Sequence, residues 1–254
     1  NVSALSVAGT FDDCQRLMKA AFAQPDLRER FELSSANSIN VGRLLPQASY
    51  YAYASLQVWR RTGRPANFVV PSGNLGNVLA CVWAREVGLP IGSVEMAFNA
   101  NRTVPDYLQR GEWQPRASVA TLASAMDVGN PSNMERLRHL HPDWRRLAES
   151  VGAVSVADDE IRARIRADHA ALGQVWCPHT ATAAEAYARL APGRRAAGPW
   201  LLVATAHPAK FPETVEPLIG AGVPVPPALA RLLDLPKRVR HVPATLDAVR
   251  SALG

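Results

Sequence analysis

The stretch from Asn67 to Phe98 constrains the fold more than any other part of this 254-residue sequence. Asn67–Val70 is a short apolar run that reads as a buried strand, and Pro71 to Gly76 is a turn-rich loop. Asn77–Val87 has the make-up of a helix that stops before Gly88, and Ser93–Phe98 is a second strand. Strand, loop, helix and strand in this order form a βαβ unit. The crossover helix carries the chain back across the sheet, so the two strands run parallel, and a parallel sheet needs helices on its faces. Helical patterns at Val104–Arg110, Asn133–His141, Ala157–Leu172 and Thr180–Leu190 and a further buried strand at Trp200–Ala204 continue the alternation. The expected fold class is α/β, with a doubly wound, mostly parallel sheet.

Outside this core the pattern is less regular. Val2–Val7 reads as a strand, Thr10 with Asp13 as an N-terminal cap, and Phe11, Cys14, Leu17, Met18, Ala21 and Phe22 as one helical face that Pro25 ends. A second helical pattern, Leu44–Trp59, carries Pro46 near its start and closes at Gly63 and Pro65. From Ala221 onward prolines are dense, and the chain is expected to wrap the surface. No apolar run approaches the roughly 18 residues of a membrane span. The net charge of +6 is spread over arginines scattered along helices, with Lys237-Arg238-Val239-Arg240 as the one dense run, which reads as a solvated basic surface rather than a nucleic-acid site. Cys14, Cys81 and Cys177 lack metal-ligand spacing. Cys14 and Cys81 read as small buried hydrophobes in a reducing compartment such as the cytoplasm. The excess of arginine over lysine, with abundant alanine, hints at a bacterial source.

The loop after the first strand of the βαβ unit has a chemistry of its own. Gly73 and Gly76 flank Asn74-Leu75 where a strand hands over to a helix start. Glycines let the backbone turn sharply and approach a ligand, and free N–H groups at a helix N-terminus attract anions. Ser72, Asn74 and Asn77 add candidate side-chain donors. The pattern is neither G-x-G-x-x-G nor a Walker A loop, so dinucleotide and ATP binding are unsupported. On its own residues the loop remains either an anion site or a plain βα turn. His179 and His207 sit at element junctions and read first as structural histidines. Asp158-Asp159-Glu160 reads as macrodipole complement at a helix start.

Five blocks in order give the loop a more specific meaning. They are GTFDDCQ at 9–15, SANSINVGRLLPQ at 35–47, PSGNLGN at 71–77 with GLPI following at 88–91, TLASAMDV at 121–128, and TAHPAKFPETVE at 205–216. Together they resemble the C-terminal portion of threonine synthases, fold-type-II enzymes that use pyridoxal 5'-phosphate. The resemblance implies that Ser72, Gly73, Asn74, Leu75 and Gly76 wrap the cofactor phosphate and that Thr205 hydrogen-bonds its pyridine nitrogen. It further implies Ser38, Asn40 and Arg43 as the residues that position the small-molecule substrate, O-phospho-L-homoserine. The implied reaction, with water, yields L-threonine and phosphate. A threonine-synthase-like phospholyase and a non-catalytic anion-binding remnant are the alternatives. No nucleic acid, membrane or metal is expected as a partner.

The sequence also departs from that pattern. The block that carries the family's Schiff-base lysine has no counterpart here, and neither does the SGDTG-like loop beside the substrate. Lys210 lies in the HPAKF block, where the family's lysine plays another role, so no catalytic residue is assigned in this chain. The expected partner is accordingly the missing N-terminal part of the same protein. Residues 1–35 are expected to end a smaller α/β domain, and 36–254 to form most of the larger, cofactor-binding one. The 254-residue chain should form no Schiff base with pyridoxal phosphate. A Schiff-base absorption band in pure material would contradict that expectation.

Overall fold

The computed structural model describes residues 3–233, 235–236 and 238–253. Val2 and Lys237, which the sequence placed in a strand and in a basic run, lie outside the described residues. The chain divides into two compact units, one formed by Asn1–Ser35 with Val225–Gly254 and the other by Ala36–Pro224. The expectation that 225–254 joins the larger domain is thus corrected.

The first unit contains β1 (Ala4–Ala8), α1 (Phe11–Phe22) and α2 (Pro25–Phe31). The predicted cap is present: the Asp13 N–H donates to Thr10 Oγ1, and Asp13 Oδ2 accepts from the Thr10 N–H at 2.9 Å. Pro25 does more than end α1, because it opens α2 at the first-turn position where a missing N–H costs nothing. Cys14 is exposed, against expectation, because α1 turns Gln15 and Leu17 inward instead.

The second unit runs through α3 (Val41–Thr62), β2 (Ala66–Pro71), α4 (Gly76–Glu86), β3 (Ile91–Phe98) and α5 (Thr103–Arg110). It continues through α6 (Met134–Leu140), α7 (Trp144–Ser150), β4 (Gly152–Ser155), α8 (Asp158–Leu172) and α9 (Pro178–Ala188). It ends with α10 (Pro192–Ala196), β5 (Trp200–Leu202) and α11 (Pro212–Ile219). Pro46 does not break α3, which instead closes at Gly63 in the left-handed region. Burial of Leu44, Tyr51 and Ser55 along one face outweighs the single backbone bond that Pro46 forgoes.

The sheet of this unit has the order β4-β3-β2-β5 and is parallel throughout. Helices cover both faces: α3 and α4 pack on one side of β2, and α9 packs on the other against β2, β3 and β5. β2 is buried along its whole length, as a central parallel strand requires. The main apolar cluster joins Leu44 and Tyr51 of α3, Val78, Leu79 and Val82 of α4, and Phe68, Met96 and Phe98 of the sheet.

The chain then returns to the first unit through α12 (Pro227–Leu233), β6 (Val239–Pro243) and α13 (Leu246–Leu253). β6 pairs in parallel with β1, Ala4 opposite Val239 and Ala8 opposite Pro243, so this stretch is folded rather than wrapped over a surface. Among the described residues no helix is long and apolar enough to cross a membrane.

Leu44 is fully buried, and its Cδ2 lies 3.1 Å from where a Cβ on Gly76 would sit. Leu44→Ala should therefore cost about 2–5 kcal/mol in urea unfolding and loosen the loop above it. A loss below about 1 kcal/mol would show that this core does not support the loop.

Candidate functional site

The parallel topology places two loops side by side. Val69 of β2 is paired with Leu202 of β5, and the Val203 N–H continues the ladder to the Val69 carbonyl at 3.0 Å. The loop after β2, at 72–75, and the loop after β5, which begins near Thr205, therefore leave the same carboxyl edge from adjacent strands. Strands in a sheet are about 4.8 Å apart, so the two loops can serve one ligand.

The loop after β2 is built to expose backbone donors. Leu75 sits at φ 66°, in the left-handed region, and precedes α4 without a side-chain cap. That conformation costs a branched residue about 1–2 kcal/mol, and burial of the Leu75 side chain holds it in place. Among the described residues, no acceptor takes the N–H groups of Gly73, Asn74, Leu75, Gly76 or Asn77. Five neighbouring donors without a partner at a helix start give a positive potential suited to an anion. Both glycines are needed for space. A Cβ on Gly73 would lie 2.8 Å from the Met126 Cα, and one on Gly76 would lie 2.6 Å from the Ser38 Cβ.

Two side chains expected to donate to a ligand are committed elsewhere. Ser72 Oγ donates to the Val70 carbonyl at 2.8 Å. Asn74 Nδ2 donates to Ser38 Oγ at 2.8 Å, while its Oδ1 accepts from the Ser132 N–H at 2.8 Å and from Ser132 Oγ at 2.9 Å. Asn77 Oδ1 accepts the Tyr51 hydroxyl. The loop thus offers its main chain, while Asn74 ties three segments together.

Asn133, Ser132 and Arg136 complete this clamp, and the sequence reading missed all three. Asn133 is fully buried and donates to Ser38 Oγ at 3.0 Å and to the Asn74 carbonyl at 2.8 Å. Arg136 donates to the Ile39 carbonyl at 2.6 Å and to the Ser38 carbonyl at 3.4 Å. The only signal was an Asn-Pro-Ser-Asn run at 130–133, which in isolation reads as an ordinary loop.

The three expected substrate residues occupy one short stretch but play different parts. Ser38 is inside the clamp. Asn40 caps α3, its Oδ1 accepting from the Gly42 N–H at 2.9 Å. Arg43 is exposed in the first turn of α3, and among the described residues neither it nor Arg136 forms an ion pair. Arg136 brings to the clamp a positive charge without a carboxylate partner among the described residues, which favours an anionic ligand nearby.

The long connection between α5 and α6 forms the wall over Gly73. Asn99 Nδ2 donates to Asp127 Oδ1 at 2.7 Å and to Thr121 Oγ1 at 2.8 Å, and Asn101 Nδ2 donates to the Val119 carbonyl at 2.9 Å. Burial pushes the Asp127 carboxyl above its usual range despite the bonds from Thr121 and Asn99. His179, buried in the first turn of α9, accepts the Ala125 N–H on Nε2 at 3.1 Å, and the Ala125 carbonyl lies 3.2 Å from the Cβ position of Gly73. His179 is thus structural, as expected, but it supports the wall of the cup. His207 caps the short turn at Pro208–Lys210 through Nδ1.

Thr205 is exposed and lines a cavity of about 730 Å³, with Trp176, Cys177, Thr180 and His207 among its other walls. The loop 72–76 does not line this cavity, so Thr205 stands between the cup's edge of the sheet and a second concave space. Lys210 is exposed.

Comparison with known proteins follows the same lines. Residues 180–253 match a family model described as threonine synthase, C-terminal. The chain is 39% identical over 253 residues to the threonine synthase of Serratia marcescens and 38% identical over 254 to that of Escherichia coli, covering all of this chain in each case. It spans 58% of the length of these relatives. The crystal structure of the Escherichia coli threonine synthase superposes with a TM-score of 0.90, covering 99% of this chain and 58% of that one. A pyridoxal-phosphate-bound threonine synthase from Brucella melitensis, 30% identical, covers 99% of this chain and 59% of its own, with a TM-score of 0.83. The α/β architecture is that of threonine synthases and the fold-type-II enzymes.

His179 gives a pH prediction. Burial first, and the neighbouring Lys210 second, hold its imidazole below the ordinary 6.5. The unfolded chain therefore takes up the proton first. Stability from this group is fully present above pH 6.5 and is lost as pH falls from there through the folded value. His179→Gln keeps an acceptor and should flatten the fall of the urea midpoint below pH 6.5. An unchanged slope would contradict this role.

Proposed function

We propose that this chain, which resembles the C-terminal part of threonine synthases over its whole length, supplies the phosphate cup of a pyridoxal-phosphate-dependent threonine synthase. The observation that carries the reading is the row of unpartnered N–H groups from Gly73 to Asn77, at the carboxyl edge of β2 and beside the loop of Thr205. A phosphate fits such a cup because backbone donors and the helix terminus together stabilise a compact anion.

In this reading Ser72, Gly73, Asn74, Leu75 and Gly76 hold the cofactor phosphate through the main chain, and the Asn74 side chain keeps the loop in shape. Thr205 faces the pyridine nitrogen with a neutral hydroxyl. When bound, the cofactor serves as an electron sink for negative charge developing on the amino acid. Ser38, Asn40 and Arg43 position O-phospho-L-homoserine, with Arg43 suited to its phosphate, and the whole protein converts it with water to L-threonine and phosphate. The proton-transferring lysine belongs to the part of the relatives that this chain does not span. The cytoplasm of a bacterium is the compartment that fits these relatives.

The test compares ligands that differ by one phosphate. The 254-residue chain should bind pyridoxal phosphate and quench its tryptophan fluorescence, pyridoxal should bind far more weakly, and Gly73→Ala should weaken pyridoxal phosphate by about tenfold or more. Equal binding of pyridoxal and pyridoxal phosphate would overturn the reading.

A further inference from the structure

The amino edge of the four-stranded sheet, opposite the cup, carries a cavity of about 570 Å³. It crosses the starts of all four strands, from Ala197 before β5 through Asn67 of β2 and Ser93 of β3 to Ser150 before β4. All of its walls belong to the second unit.

A bulge shapes the middle of this cavity. Ala66 pairs with Ile91 and Phe68 with Val94, so Gly92 and Ser93 stand against Asn67 alone. A bulge interrupts the ladder and re-aims a side chain. Here the Asn67 side chain stands in for the ladder, its Oδ1 accepting the Ser93 N–H at 2.7 Å. That bond fixes the amide, so Nδ2 points the other way, toward Gly198. Asn67 is only 7% exposed, and among the described residues nothing accepts from its Nδ2. A buried amide donor without an acceptor is costly, so this one calls for a ligand.

The space beside that donor is kept open. A Cβ on Gly198 would lie 2.8 Å from Asn67 Nδ2 and 3.7 Å from an Arg64 guanidinium nitrogen. Gly198 has no left-handed backbone that would require glycine, so what it contributes is room. Arg64 donates to the Ala197 carbonyl, which holds its guanidinium on the β5 side. Two donors, one of them charged, thus face one gap, and a carboxylate fits there. The β4 side is different. Arg85 is spent on the Ser150 carbonyl at 2.9 Å and on Glu86 at 3.8 Å, which leaves Glu149 as the unmatched charge of that wall. Among the described residues neither Arg64 nor Glu149 forms an ion pair. With strands about 4.8 Å apart, the cavity is a trough with a positive end near β5 and a negative end near β4.

We propose that this trough binds a small zwitterion of the amino-acid class, in which an aliphatic chain separates a carboxylate from an ammonium group. The carboxylate takes the Asn67 amide and Arg64, and the ammonium group faces Glu149. The site is independent of the phosphate cup, which leaves the opposite edge of the sheet. A plain anion fits less well, because Glu149 would repel it inside the same cavity.

The test titrates the 254-residue chain with ε-aminocaproate, caproate and inorganic phosphate, following the side-chain amide signal of Asn67 by NMR. ε-Aminocaproate should shift that signal to saturation, and caproate should bind about tenfold more weakly. Arg64→Gln should weaken ε-aminocaproate by about tenfold or more, and Glu149→Gln should reduce it to the level of caproate. Both side chains are exposed, so these variants should keep the urea midpoint of the parent chain. Gly198→Ala, which fills the gap, should abolish the shift. Caproate or phosphate binding as tightly as ε-aminocaproate would overturn the zwitterion. An Asn67 signal unmoved at saturating ligand, or an affinity unchanged in Arg64→Gln, would overturn the site.

Discussion

The side chain of Asn74 is the interaction on which the candidate site depends. Its amide spends both ends inside the protein, donating to Ser38 and accepting twice from Ser132. With the side chain committed inside the protein, the N–H groups of residues 73–77 are left without a partner among the described residues. Asn133 and Arg136 close the same clamp onto the backbone of Ser38 and Ile39. A buried amide cluster of this kind is stable only if every group finds a partner, so each member enforces the geometry of the others. The result is a rigid loop with donors that the protein itself does not use.

The surrounding fold explains why that loop stays in place. The backbone of Ala125 and Met126 fills the space that a side chain at Gly73 would need, and that wall is held by His179 on one side and by Asn99, Asn101 and Asp127 on the other. Gly76 rests over Ser38 and Leu44, which ties the cup to the main apolar cluster through α3. The parallel register of β2 and β5 then sends the loop that begins near Thr205 off the same edge of the sheet. Position in the sheet, not local sequence, makes these two loops neighbours.

Much of this was legible from the residues. The βαβ unit announced itself because β-branched runs, two glycines and an apolar helix agree with one another, and the structure has β2, α4 and β3 there. The capping box at Thr10 and Asp13 was equally clear, since it is local. What was not legible depends on distant partners. β6 is a polar strand, Val239–Pro243, that exists by pairing with β1 at the other end of the chain. β4 is four residues long and carries no pattern of its own. Ser132, Asn133 and Arg136 look like ordinary polar loop and helix residues until the fold brings them to Asn74. Cys14 sat on an apparent apolar stripe, yet α1 buries a different one. The reading of that loop as a phosphate cup came from five blocks in order, because its own glycines allow a plain turn as well.

The central claim, that the main chain of 73–77 is an anion cup, is tested most directly by amide NMR of the 254-residue chain titrated with pyridoxal phosphate and with inorganic phosphate. Both ligands should shift the amide signals of Gly73, Asn74, Leu75, Gly76 and Asn77 together, with pyridoxal phosphate also moving Thr205. Shifts confined to other amides, or none in this loop at saturating ligand, would contradict it.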